Sequence, residues 1–444
     1  MKTKVIGLSL IGFFLFSMVA FSEEPLVLTL EKSVQIALAK NPNQLAAQER
    51  LKAAQSSVRE AAAQFFPSLN AQGMHTLDEK VMELEFPSMI PGQPPQRVEI
   101  DFTRDYQFSL SLNLPLFTGG RLTSNFKQAQ YGLKATQEMV RQTKQEIVYQ
   151  TKQAFYGYLL AKEFVQVAEE AVDLAQKHLD NVKALYEVGL ASKFDLLRSE
   201  VQLANLQPQL IRARNNLKIT ELSLKTVLGL SLETPIEIKG SLQYQPFTIN
   251  EEECYQIALQ NRPELLQLNF QKQRTAAMIG LARASGLPTV AVSGNFNYWS
   301  DQFKFKKDTW SDYYSVNLVV SIPLFNGFAT SARVAQSKAA LRELENTRQG
   351  LVNLIRFEVS QALLRLKEAE ESLLSQGKNV EQAQESLRIA ELNYAEGLVT
   401  TLDVSSAQTA LSQAKTNYSQ ALYDYMLAQA ALEKAMGTSL GGKE

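Results

Sequence analysis

Two aspartates, Asp195 and Asp403, stand 208 residues apart in near-copies of one phrase, "YEVGLASKFDLL" at 186–197 and "YAEGLVTTLDVS" at 394–405. A carboxylate three residues after a Ser or Thr can do two kinds of work. It can close a capping box at a helix start, Ser192 with Asp195 and Thr400 with Asp403. Arranged around an axis in several copies, it can also form a ring of negative charge that attracts cations and disfavours anions. The two roles can coexist.

No other group suggests a reaction centre. The chain has two histidines, His75 and His178, and one cysteine, Cys254. That set offers no zinc site and no Ser/His/Asp or Cys/His constellation. "TGG" at 118–120 lacks the lysine and spacing of a phosphate loop. His178 falls on an apolar helical seam and reads as a packed imidazole. Glu169 and Glu170 read as a solvated helix face. No catalytic residue, metal ligand or cofactor is expected, and an enzyme is not.

The bulk numbers agree with a folded chain: 45% hydrophobic and 20% charged residues, with a mean hydropathy of −0.17. Lys2 and Lys4 precede the apolar run "VIGLSLIGFFLFSMVAF", and Ala20 and Ser22 precede Glu23, which predicts a signal peptide over 1–22. Without those two lysines the chain carries 43 basic and 46 acidic residues. This near-balance gives no reason to expect nucleic acid as a partner. Beyond the N-terminus no run of about 18 apolar residues offers a membrane helix, which leaves a membrane barrel open.

The elements that position the aspartates occur twice. "LPLFTGGR" at 114–121 parallels "IPLFNGFA" at 322–329, and Gly229 parallels Gly437, all at an offset of 208. "QIALAKNP" at 35–42 parallels "QIALQNRP" at 256–263 at an offset of 221. The first half therefore carries 13 extra residues, including the four prolines of "FPSMIPGQPPQ", expected on an exposed loop tip. Residues 23–249 and 250–444 read as a first and second repeat, each a helix, two strands and two helices, the first closed by a linker.

Strands are expected at about 67–80, 103–117, 288–300 and 312–325. Tyr106, Phe108, Leu110, Leu112, Leu114 and Leu116 alternate with polar residues, and Tyr314, Val316, Leu318, Val320, Ile322 and Leu324 repeat the pattern. Period two gives one apolar and one polar face, in runs long enough to cross a bilayer at a tilt. A soluble sandwich alternates equally well, but four strands with no further β-pattern make a poor one. Four strands cannot close a barrel alone, so a barrel would pool strands from several chains. Long helices are expected at about 119–188 and 327–396. The apolar seam from Ala154 to Tyr186 recurs in the second half, and another runs through Leu160, Phe164, Val167, Ala171, Leu174 and Leu185. Two seams suit a ring of helices with a lumen; a filled antiparallel bundle is the alternative. Pro115 and Pro323 are expected to end the β-ladder, and Gly119, Gly120 and Gly327 to turn the chain into the helix. Gly189 and Gly397 suit the left-handed position that closes a helix.

In this ordered, duplicated set the chain resembles the outer membrane efflux protein (TolC-like) family over essentially the whole mature sequence. The resemblance implies a mainly α fold with a membrane β-barrel: a homotrimer whose twelve-stranded barrel sits in outer-membrane lipid and continues into a long periplasmic α-helical barrel. It implies a passive exit duct of a tripartite efflux pump or type I secretion system, coupled to an inner-membrane transporter through a periplasmic adaptor (membrane fusion) protein. The adaptor would meet the hairpin tips at Gly189, Leu190, Gly397 and Leu398, and residues 230–250 would join a belt around the tube. The resemblance places Asp403, Asp195 and Tyr394 at the periplasmic gate. Ser406 occupies a second acidic position of the family's archetype, and Val399 the place of its latch arginine. The rival reading is a secreted, non-porous coiled-coil scaffold or periplasmic adaptor.

Overall fold

A computed structural model describes residues 25–78, 82–100, 104–247, 249–304, 306 and 309–438. The expected signal peptide lies outside the described residues. In chain order the elements are β1 Leu26–Leu28, α1 Leu30–Lys40, α2 Pro42–Ala63, β2 Ser68–His75, β3 Met82–Phe86, β4 Gln96–Ile100, β5 Tyr106–Phe117, α3 Arg121–Glu187, α4 Lys193–Leu228, β6 Ile236–Ile238, α5 Glu251–Asn261, α6 Pro263–Ala284, β7 Thr289–Ser300, β8 Ser311–Ser321, α7 Ala329–Ala395 and α8 Thr401–Met436. Helix lengths run 11, 22, 67 and 36 residues from α1 to α4 and again from α5 to α8. At 1.5 Å per residue α3 and α7 are each about 100 Å long.

The central sheet has the order β2-β5-β7-β8 and is antiparallel throughout. Its register sets Leu69 beside Leu112, Phe108 beside Tyr298, Leu110 beside Phe296, and Val292 beside Leu318. One face therefore carries Leu69, Phe108, Leu110, Leu112, Phe296, Val316 and Leu318. The other carries Asn70, Gln72, Ser109, Ser111, Asn295, Asn297 and Asn317. Most of the apolar face is open: Val316 is 73% exposed and Leu318 65%. Aromatic pairs gather at the end away from the helices. His75 stacks on Tyr106 at 4.2 Å, Tyr298 stacks on Trp310 at 4.8 Å, and the Arg104 guanidinium sits 4.1 Å above Trp299.

The helices keep the lateral order of the strands they continue. Near the sheet α2, α3, α6 and α7 lie side by side; farther away α4, α3, α8 and α7 do. The α2 and α4 helices form one stacked column. Gly229, which closes α4, meets Lys40 and Asn41 at the α1–α2 joint, and Gly437, which closes α8, meets Asn261 and Arg262 at the α5–α6 joint. Side chains seal both joints. Asn41 Nδ2 donates to the Val227 carbonyl at 2.8 Å, and Arg262 Nη1 donates to the Ala435 carbonyl at 3.2 Å. The Arg262 charge is nearly buried, which is tolerable because Glu264 and Glu358 approach it at 3.0 and 2.7 Å. A joint core of Leu28, Leu224, Leu228, Ile147, Ile355, Leu432 and Met436 fills the mid-height of the array.

Several expectations need correction. Pro115 does not end the ladder: it pairs with Ala291, and the strand runs on to Phe117 past a bulge at Leu116. The β2–β5 register stops at Ser68 and Asn113, so at Pro115 the strand has one neighbour and the missing N–H costs nothing. The other ladder stops at Ser321, two residues before Pro323. The proline-rich stretch 87–95 is an exposed loop tip as expected, but the extra residues flanking it are not plain loop, since β3 and β4 form a hairpin that carries that tip. A parallel pair, β1 with β6, supplies further β-structure. Glu169 and Glu170 are not idle on a solvated face. Glu169 pairs with Arg214 of α4, and Glu170 pairs with Lys415 of α8, so adjacent acids reach opposite neighbours. Such half-exposed pairs are worth about 0–1 kcal/mol each and serve register more than stability.

Candidate functional site: the hairpin tips and the strand-to-helix junction

Each long helix ends far from the sheet in a tight turn onto a shorter one. Gly189 has φ +80° and Gly397 φ +73°. The N–H of Leu190 donates to the Leu185 carbonyl at 2.8 Å, and that of Leu398 to the Asn393 carbonyl at 2.9 Å, so each closing glycine satisfies the helix's last acceptors. Leu190 and Leu398 project outward, and Val188, Phe194 and Leu402 add to an exposed apolar rim at the tips.

Both aspartates close capping boxes. The Ser192 hydroxyl donates to Asp195 Oδ2 at 2.5 Å and accepts from the Asp195 N–H at 3.1 Å. Asp403 Oδ2 accepts from the Thr400 hydroxyl at 2.7 Å and from the Thr400 N–H at 2.8 Å. Those bonds, the hydroxyl's first and the amide's second, hold the Asp403 carboxyl below its ordinary 3.8. A depressed carboxylate stabilises its fold at pH values above its unfolded value, and the contribution is lost as pH falls through the lowered one. The Asp403 charge and cap are therefore expected to persist unchanged from pH 8 to about 5 and to fail only below about 4. The NMR shift of the Asp403 side-chain carboxyl carbon, which reports its own protonation and not opening of the tips, checks this across that range. Asp403 and Ser406 are both solvent-exposed, while Asp195 is half-buried.

The tips bring some of the expected residues together and not others. The Tyr394 hydroxyl accepts from Thr401 Oγ1 at 3.3 Å, and its ring lies 5.2 Å from that of His178. Asp195 bonds to Ser192 in the other hairpin, and no described bond joins it to Tyr394 within one chain. Val399 is half-buried. Two contributors were missed in the sequence. Thr401 is buried beside Tyr394, and Gln408 Nε2 donates to the Leu174 carbonyl at 3.3 Å, tying α8 to α3.

At the other end the chain turns from strand to helix through Gly119 at φ +61° and Gly120 at φ +84°. A Cβ on Gly119 would sit 2.7 Å from Leu287 Cβ, so here glycine serves both conformation and close approach. The second half uses Gly327 at φ +62° and then Phe328 at φ +63°. Phe328 is a non-glycine in a left-handed conformation, and its ring packs edge-on against Phe325 at 5.6 Å. Substituting Phe328→Gly is expected to stabilise the junction by about 1 kcal/mol through relief of that strain, read as a rise in the denaturant midpoint.

No group of three or more His, Cys, Asp or Glu that could hold a metal ion occurs among the described residues. Cys254 is buried, and that burial pushes its thiol pKa up. No described helix is long and apolar enough to cross a membrane, which says nothing of the sheet.

Comparison with known proteins adds to this geometry. The family profile "Outer membrane efflux protein" matches residues 33–230 and 254–438. The chain is 26% identical over 430 residues to the probable efflux pump outer membrane protein TtgC of Pseudomonas putida, covering 93% of this chain and 83% of that one. It is 24% identical over 311 residues to the outer membrane protein TolC of Vibrio cholerae, covering 67% and 68%. Among solved structures, CusC, described in terms of folding and transmembrane channel formation, superposes with a TM-score of 0.75 at 18% identity over 92% of each chain.

Proposed function

Because the chain belongs to the outer membrane efflux protein family, we propose that three copies pool their four-stranded sheets into a twelve-stranded outer-membrane barrel continued by a periplasmic tube of helices. The observation that carries this is the sheet itself, with one apolar face, one polar face and two unpaired edges. Hydrocarbon tolerates no open edge. Strand directions alternate across the order β2-β5-β7-β8, so β8 of one copy joins β2 of the next in the same antiparallel sense. Two copies would give eight strands, a barrel whose interior side chains fill. Three is the smallest number that leaves a lumen, lined by the amide and hydroxyl face. The helical array, open at α2/α4 and α7, closes in the same cycle.

On this reading the duplicated helix lengths are a tandem repeat, and each half crosses once from membrane to tube. The protein is a passive exit duct. Its tips meet a periplasmic adaptor through Gly189, Leu190, Gly397 and Leu398, and an inner-membrane transporter supplies the work. Relatives matched over most of both chains include the efflux pump protein TtgC and the alkaline protease secretion protein AprF, so the duct serves either an efflux pump or a type I secretion system. Asp403, exposed at the tip of α8 in each copy, forms a ring of three carboxylates at the entrance. Replacing it in Asp403→Ala is expected to leave the trimer intact and lower the cation-over-anion permeability ratio; an unchanged ratio would leave it a helix cap alone.

Membrane extraction and mass test the assembly. The reading expects protein that resists a carbonate wash and, in detergent, has three times the mass of one mature chain. Protein that washes off as a monomer or dimer would point to a periplasmic scaffold instead.

A further inference from the structure

We infer that His178 is a proton-sensitive element of the hairpin tips: neutral, it lets α3 close against α4 and α8, and charged, it drives them apart. The ring is 8% exposed. Its Nε2 is buried without a hydrogen-bond partner. It lines a small enclosed cavity with Arg198, Ser199 and Gln202 of α4 and Thr401, Ser405 and Gln408 of α8. That cavity, about 10 Å³, is at the lower limit for one water. A proton on Nε2 would therefore create a cation with almost no solvent and no carboxylate on the cavity wall.

No anionic side chain on the cavity wall offsets that charge. On its own helix the neighbours one turn away are Leu174, Ala175, Asn181 and Val182, none of them charged. From α8 come only neutral polar groups, and from α7 the Tyr394 ring, whose hydroxyl bonds to Thr401. Asp173 and Glu391 act on Lys177. The one charged side chain on the cavity wall is Arg198, itself a cation. Burial accordingly pushes the His178 pKa down. For a base with a depressed value, closed tips gain nothing from protonation. Their stability is intact above the ordinary histidine value near 6.5 and declines as pH falls below it.

The composition makes this testable. The only other histidine, His75, sits at the opposite end of the molecule, with Nδ1 2.8 Å from the Asp105 carbonyl oxygen. Unperturbed carboxylates titrate near 4, so a response between pH 7.5 and 5.5 isolates His178. Hydrogen exchange of the amides at 401–411 in the full-length protein, corrected for intrinsic chemical rates, is the readout. Opening in the unmodified protein is expected to increase up to about ten-fold from pH 7.5 to 5.5, the ratio set by a free imidazole of pKa 6.5. His75→Phe should retain the response. His178→Phe, which keeps a ring against Tyr394, and His178→Gln should both abolish it. No acceleration in the unmodified protein, or acceleration that survives in either folded His178 variant, would overturn the inference. The inference places the switch at the entrance of the duct proposed above. Since exchange needs no pore, a protein that shows the response yet never conducts would sink the duct and leave the switch standing.

Discussion

Val316→Lys is expected to abolish stable membrane insertion, whereas Asn317→Lys, one residue on, is expected to preserve it. Val316 lies at the centre of β8 on the apolar face, opposite Gly294, and is 73% exposed in the single chain. Asn317, paired with Ser293, lies on the amide and hydroxyl face. A lysine on the lipid side of a barrel near the midplane costs about 2–4 kcal/mol, while one facing the lumen costs little and alters selectivity. In the assembled trimer the first substitution acts three times. The measurement is the carbonate-resistant fraction of each variant, with helical content as the control for folding. Asn317→Lys should also shift ion preference toward anions. Equal tolerance of the two substitutions would mean that the sheet is not a membrane wall.

Gly229→Ala is expected to be the most destabilising single-methyl change at the helix joints. Gly229 has φ +68°, and an added Cβ would lie 2.5 Å from the Lys40 carbonyl oxygen and 2.9 Å from its carbon. Both are backbone atoms of the α1–α2 joint and cannot rotate away. Conformational strain and overpacking each cost about 1–3 kcal/mol, so a loss of about 3 kcal/mol or more is expected in the unfolding midpoint. Gly437→Ala meets the same obstacle at Asn261, with carbonyl carbon and oxygen both at 2.9 Å. Gly189→Ala, at φ +80° with nothing within 4 Å of the added atom, should lose only about 1 kcal/mol. Equal losses at Gly189 and Gly229 would show that the α2–α4 column is not held by this contact.

These two predictions mark what the sequence could and could not reveal. The alternation of Tyr106 to Leu116 is a local pattern, so one apolar face could be read directly. Which strand lies beside which is not local, and the order β2-β5-β7-β8 required the structure. The glycines closing long helices were legible because a left-handed residue follows a helical period. The second duty of Gly229 and Gly437, admitting another helix joint, was hidden, because their partners lie more than 170 residues away. Asn41 and Arg262 did leave a signal: each precedes a proline in the paired phrases "AKNP" and "QNRP". The sealing role became visible only with the carbonyls of Val227 and Ala435 in place. Pro115 was misread because the rule against proline in a ladder applies to strands with two neighbours, and β2 ends before reaching it. At the tips the spacing of Ser192 with Asp195 and of Thr400 with Asp403 announced the capping boxes. The unpartnered Nε2 of His178 depends on three helices at once and has no signature in any one of them.

Single-channel recording of the purified protein in a planar bilayer tests the central claim most directly, at pH 7.5 and again at 5.5, where the tips are expected to loosen. A trimeric duct should give discrete current steps with a preference for cations, and Asp403→Ala should give steps with a weaker preference. Folded, membrane-inserted protein that gives no steps at either pH, with or without Asp403, would contradict it.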